Sequence, residues 1–268
     1  GGVLFDGTLD GDGGGPYSLD LLANGANIDF DGVVGGVNPL DALTIDDAAD
    51  VTFADSLDAT SLTQTTGSGT TRTDGIVTLS GNIGVVNDSV TVNAAVNVSG
   101  ASTVTLTADT GAMTIGAAGH ITSGTGVVTL TAAGGITTAG DVTTTNAHVD
   151  INSDTTLSGP VTIDTDSGAG TVTFGGTLEG TGTESLNLDV GSGVVNLNGT
   201  VGNGGADRVG AITIDSAAAV TATDEVFAAG YTQLAGNVDF QGALDLSGSL
   251  TLNVNLLGIA GPLTTGAD

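Results

Sequence analysis

The chain has 268 residues, with 30 Asp and Glu against 2 Lys and Arg, a formal net charge of −28, and no Cys or Trp. That balance excludes nucleic acid, whose phosphates need Lys and Arg, and an anionic membrane surface; it fits cations, a saline medium or simple solubility. Both cations are Arg, so Lys–Asn isopeptide crosslinks are excluded, and without Cys there are neither disulfides nor thiolate metal sites.

Hydrophobic residues are 39% of the chain and Gly numbers 46. An acidic disordered tail would lack that apolar content. The apolar residues are mostly Val, Leu, Ile and Ala, alternating with Thr, which suits narrow stacked strands. No apolar run is long enough for a membrane helix. Aromatics at 3% leave no interfacial girdles for a membrane barrel. The chain begins at Gly1 without Met or a signal peptide, and it reads as a processed or excised part of a longer precursor.

In chain order, Val3 to Leu9 reads as a strand, followed by the loop Asp10-Gly11-Asp12-Gly13-Gly14-Gly15-Pro16. Ser18 to Leu22 is the next strand, and a turn at Asn24-Gly25-Ala26-Asn27 leads to Ile28–Val34. A second loop, Gly35 to Pro39, precedes the strand Leu43–Ile45. Phe5, Phe30 and Phe53 recur at the spacing of one coil. Alternation turns every second side chain inward, so these three rings are expected to stack as a core column. Thr52 and Asp29 then face solvent. Between residues 84 and 171 the pattern continues with smaller side chains. Short strands are expected at Val90–Val92, Val104–Leu106, Met113–Ile115, Val127–Leu130, Val149–Ile151 and Val161–Ile163. No stretch has helical periodicity.

A long repeat overlies this pattern. Ala42-Leu43-Thr44-Ile45-Asp46 returns as Ala211-Ile212-Thr213-Ile214-Asp215, at an offset of 169. Phe5-Asp6-Gly7-Thr8-Leu9 matches Phe174-Gly175-Gly176-Thr177-Leu178, and Thr63-Gln64 matches Thr232-Gln233, both at 169. Ile28 to Gly35 matches Val195 to Gly202, and Leu79-Ser80-Gly81 matches Leu246-Ser247-Gly248, both at 167. Residues 3–84 thus correspond to 172–252. Fixed-period self-similarity is a mark of solenoid arrays. The expected fold is all-β: a β-solenoid, or parallel β-helix, continuous over residues 1–268. It has roughly a dozen coils of about 20–25 residues, about 55–60 Å long at about 4.8 Å per coil.

The segment Phe30-Asp31-Gly32-Val33-Val34-Gly35-Gly36, followed by Pro39 to Ile45, resembles the repeats of giant bacterial surface proteins. These are similar to filamentous-haemagglutinin and autotransporter-passenger β-helices. Thr63 to Thr71 fits the same style. The resemblance covers most of the chain and implies a secreted or cell-surface protein acting in adhesion, biofilm or filament formation, with no catalytic residues to carry over.

Few residues offer chemistry. Asp10 and Asp12, interleaved with Gly11 and Gly13, are the one calcium-loop candidate, but the third acidic position and the distal Glu are missing. Diffuse cation binding by like charge is the stronger expectation. His120 and His148 lack a third ligand, and Arg72 and Arg208 do not make the cleft of a polysaccharide-cleaving β-helix. The pairs Thr105/Thr107, Thr129/Thr131, Thr171/Thr173 and Thr221/Thr223 are spaced too irregularly for an ice-binding ladder. The sequons at Asn87, Asn97 and Asn198 are of a kind that arises by chance in an Asn-, Ser- and Thr-rich chain. No catalytic, cofactor or metal residues are assigned. The expected role is a structural segment of an extracellular bacterial fibre, not an enzyme. Its partners are copies of itself or flanking repeats of the precursor, stacked head to tail. Leu263 to Phe5 across such a join repeats the ten-residue spacing of Leu43 to Phe53. The alternative is a rod-like spacer of a surface adhesin whose ligand site lies in loops or in other domains.

Overall fold

The computed structural model describes residues 1–15, 17–205 and 207–266. Among the described residues there are 32 strands and no helix, and every strand pairing is parallel. The fold is a β-solenoid of about 12 turns. The chain forms two compact units, Gly1–Gly134 and Gly135–Asp268.

Each coil of the first unit contributes to three walls. The first wall runs Val3, Ile28, Val51, Thr71, Val90, Met113, each residue paired with its neighbours in that order. The second runs Leu9, Val34, Leu57, Val77, Val96, Ile121. The third runs Leu19, Leu43, Leu62, Ile83, Val104, Val128. Coil length is therefore not constant: along the first wall it is longest from Val3 to Ile28 and shortest from Thr71 to Val90. The second unit is built likewise. Its first wall runs Ile136, Thr155, Leu178, Val201, Val226, Leu244, Leu263. Its longest coil there is Val201 to Val226, and its shortest is Val226 to Leu244.

Alternation buries one side of each wall. Val51-Thr52-Phe53 and Val96-Asn97-Val98 each read buried, half-buried, buried. Each fully buried Leu, Ile or Val contributes about 1.5–3 kcal/mol, which offsets the ordering entropy of a Gly-rich chain. The expected aromatic column is present. Phe5 and Phe30 stack at 4.8 Å and Phe30 and Phe53 at 4.9 Å between ring centroids, with interplanar angles of 4° and 2°. Parallel in-register strands impose this coil-to-coil spacing.

The strands differ from expectation at the corners. Val3 to Leu9 is not one strand: Val3–Phe5 ends before the Asp6-Gly7 corner, and Leu9 pairs with Val34 on the next wall. Ile28–Phe30 likewise ends before Asp31-Gly32. The two corners stack so closely that a Cβ on Gly32 would lie 2.5 Å from the carbonyl carbon of Gly7. Conversely, the Leu43–Ile45 strand is longer than expected. Leu40–Asp47 rounds a corner, with Leu40 paired to Ala59 and Leu43 to Leu62.

The two segments related by the sequence repeat carry the same backbone devices. Leu40–Asp47 and Val209–Ser216 are both eight-residue strands. The pairing onto Leu40–Asp47 shifts register between Leu21 and Leu22, and that onto Val209–Ser216 shifts between Leu188 and Asp189. Gly35 and Gly202, each just after a wall residue, have φ of 73° and 65°.

Candidate functional site

The Asp10–Gly13 loop spends its carboxylates on its own backbone and its neighbour's. The Asp10 carboxylate accepts the Val37 amide at 2.9 Å, and the Asp12 carboxylate accepts the Gly14 amide at 2.8 Å. The loop is fastened to the next coil by Gly11, whose amide donates to the Asn38 carbonyl at 3.1 Å and whose carbonyl accepts from Asn38 Nδ2 at 3.1 Å. Among the described residues no group of three or more His, Asp or Glu is gathered to hold a metal ion.

Of the two histidines, one lies in each unit. The exposed His120 offers its carbonyl to the Val96 amide at 2.8 Å. His148 Nδ1 accepts the Thr171 amide of the following coil at 2.9 Å. His148 thus does what carboxamides and carboxylates do at other corners. Asn82 captures the Thr103 amide at 2.9 Å, Asp141 that of Thr162 at 2.7 Å and Asp154 that of Thr177 at 2.8 Å. A corner side chain that satisfies an amide one coil further on explains why Asp and Asn crowd the turns.

Thr105/Thr107 and Thr129/Thr131 are direct cross-coil partners. The other pairs do not stand in such a ladder: Thr173 lies between Asp150 and Asn196, and Thr221 between Asn196 and Asp239. Of the sequon residues, Asn87 is buried, Asn97 is half-buried on the outer side of its strand and Asn198 is exposed at a corner.

The two arginines differ in kind. Arg72 points outward, with Nε 2.7 Å from Asp74. Such exposed pairs contribute about 0–1 kcal/mol. Burial raises the Asp74 pKa, but hydrogen bonds from Arg72 and Asn93 and the charge of Arg72 outweigh it, so its carboxyl sits below the usual value. Arg208 is largely covered. Its Nη1 donates to the carbonyls of Ala228 at 3.1 Å and Asp245 at 2.7 Å, and Nη2 lies 3.4 Å from the Asp245 carboxylate. Its Cζ stands 5.8 Å from the Phe227 ring centroid.

Sequence reading missed two buried polar clusters. In the first unit Thr71 Oγ1 donates to Gln64 Oε1 at 2.5 Å, and Asn87 Nδ2 donates to Thr71 Oγ1 at 3.0 Å and to the Ala49 carbonyl at 3.1 Å. Asn87 Oδ1 accepts the amides of Gly69 and Asp88. In the second unit Tyr231 donates to Gln233 Oε1 at 2.7 Å, while Gln233 Nε2 donates to the carbonyls of Ala235 and Asn237, both at 2.9 Å. Burial pushes the Tyr231 phenol above its ordinary pKa. The repeat of Gln64 at Gln233 was the available signal.

One open concavity of about 600 Å³ is lined by Asp164, Asp166, Asp189, Ser167, Ser192 and Ser216, together with Gly191. Asp164 accepts the Asp166 amide at 2.7 Å, and Asp166 accepts that of Ser167 at 2.6 Å. Ser216 donates to Asp189 and accepts the Gly191 amide at 2.7 Å. These contacts are those of stacked corners, with carboxylates fixing backbone. The chain matches no protein-family model, no curated protein and no solved structure.

Proposed function

We propose that the chain is a structural segment of an extracellular fibre, its coils continued along the solenoid axis by further coils of the same kind. One observation carries this reading: the same coil devices recur along the chain, with the eight-residue strands Leu40–Asp47 and Val209–Ser216, the register shift in the pairing onto each, and the positive-φ Gly35 and Gly202 before them. Coils of one kind that stack in parallel offer each other the same ladder, and a head-to-tail contact that does not close makes a filament. The strongly acidic composition and the resemblance to surface-protein repeats support a place outside the cell.

Electron microscopy of the purified chain, with calcium and with EDTA, tests the proposal. Unbranched fibres with an axial repeat near about 4.8 Å are the expected result. Discrete particles unchanged by calcium would overturn self-assembly and favour a spacer within a longer surface adhesin.

A further inference from the structure

The repeat places two equivalent corners in the molecule, one in each unit, and they differ in one respect. In the second unit the chain leaves the wall at Gly202 and returns at Val209; in the first it leaves at Gly35 and returns at Leu40. The Gly202 amide donates to the Leu178 carbonyl at 2.6 Å, and the Gly35 amide to Leu9 at 2.7 Å. The Phe227 amide donates to Val201 at 2.7 Å, and the Asp58 amide to Val34 at 2.8 Å. The Ala228 carbonyl accepts the Ser247 amide at 3.1 Å, and the Ala59 carbonyl accepts that of Ser80 at 3.3 Å. A Cβ on Gly202 would lie 3.1 Å from the Arg208 Cα, and one on Gly35 would lie 3.1 Å from the Pro39 Cα. Pro39 therefore stands where Arg208 stands.

In the second unit the Arg208 side chain crosses Phe227 and reaches the carbonyls of Ala228 and Asp245. In the first unit Pro39 has no donor to lay across the matching surface. That surface is Asp58, Ala59 and Thr78, since Asp58 pairs with Thr78 as Phe227 pairs with Asp245. The Asp58 carboxylate has no ion pair or side-chain hydrogen bond among the described residues. Pro39, Leu40 and Thr60 line an open cleft of about 290 Å³ together with Gly13, Gly15 and Asn38.

We propose that this corner of the first unit binds a guanidinium group from outside, an arginine side chain of a partner polypeptide. It lies across Asp58, the Ala59 carbonyl and Thr78 as Arg208 lies across Phe227, Ala228 and Asp245. Asp58 supplies a full negative charge where the second unit has only a ring face. Arginine is selected over lysine because acceptors spread over two successive strands, as Arg208 reaches them with two nitrogens, suit a fork of donors and not a point charge. This site lies on the side of the coils and does not depend on axial stacking.

The test is titration of the isotope-labelled full chain with Nα-acetyl-arginine methyl ester, followed by amide resonances, with the lysine analogue as comparison. Saturable shifts confined to Asp58–Ser61 and Thr78 are expected, with the lysine probe about tenfold weaker. Asp58→Asn should weaken binding about tenfold. Pro39→Arg, which supplies an internal occupant, should abolish it. Circular dichroism establishes that each variant is folded; if Pro39→Arg is not, Asp58→Asn decides alone. Shifts scattered over the acidic surface, an equal response to the lysine probe, or binding unchanged in Asp58→Asn would each overturn the proposal.

Discussion

Thr73 is buried, between Phe53 and Val92 in the first wall, and its hydroxyl is without a hydrogen-bond partner. A few residues away Gln64, Thr71 and Asn87 satisfy one another. The difference decides what substitution does, because a buried hydroxyl left unpaired costs about 1–3 kcal/mol, whereas a satisfied one does not. Thr73→Val removes the orphan at nearly constant volume and should raise the free energy of unfolding by about 1 kcal/mol. Asn87→Ala strands two amides and two acceptors and should lower it by about 2–4 kcal/mol. Denaturant midpoints of both variants check this; a destabilised Thr73→Val would show that the hydroxyl has a partner after all. That Thr71 and Thr73 point inward is legible in the sequence, since Arg72 between them must face water. Alternation from Leu62 and Val85 also turns Gln64 and Asn87 inward, but what satisfies them is not legible, because Asn87 finds Ala49, Gly69 and Thr71 far back along the chain and only the stacked coils bring them together.

At the scale of elements, strand interiors follow the alternating pattern and the corners do not. The Phe5–Phe30–Phe53 column can be read from spacing alone, since a parallel stack repeats each side chain once per coil. The ends of Val3–Phe5 and Ile28–Phe30 cannot, because they depend on contact between the Gly7 and Gly32 corners of successive coils. The corner at Thr181–Glu184 is also held by contacts that composition hides. The Glu184 carboxylate accepts the hydroxyls of Thr181 and Thr183 at 2.6 and 2.9 Å and the Thr181 amide at 2.6 Å. The Thr181 hydroxyl leads in lowering its pKa from 4.5 to about 2, against the opposing effect of burial. A depressed carboxylate stabilises the fold fully above its unfolded pKa and loses that contribution as pH falls through the folded value. Wild type should therefore exceed Glu184→Gln in stability at neutral pH, and the gap should close between pH 4.5 and about 2. Unfolding measured across that window checks it; a gap constant down to about pH 2 would mean the carboxylate charge is not what holds the corner.

At the scale of the whole molecule the dominant quantity is the net charge of −28. Parallel stacking brings equivalent residues of successive coils to within about 5 Å, so acidic columns would repel strongly. Within each unit the outward positions avoid this. Asp29 is followed by Thr52, Asp58 by Thr78, Asp150 by Thr173, and Asp239 lies between Thr221 and Gly258. Asp164 and Asp189 do stack, and there the Asp166 amide takes up the one carboxylate and the Ser216 hydroxyl the other. Adjacent repulsion is thus dispersed, but the longer-range field of the acids remains, and it opposes the folded state more than the expanded one. Salt screens that field, with a Debye length of about 30 Å at 0.01 M and about 3 Å at 1 M. The melting temperature should therefore rise with sodium chloride over that range, and calcium should act at lower concentration, gradually, as carboxylates dispersed among Thr and Gly along the coils imply. Thermal unfolding in both salts distinguishes the cases. A flat response to sodium would mean that the corner contacts already neutralise the field. A steep rise complete at one equivalent of calcium would mean a specific site. A gradual rise in both is what dispersed carboxylates on a parallel stack require.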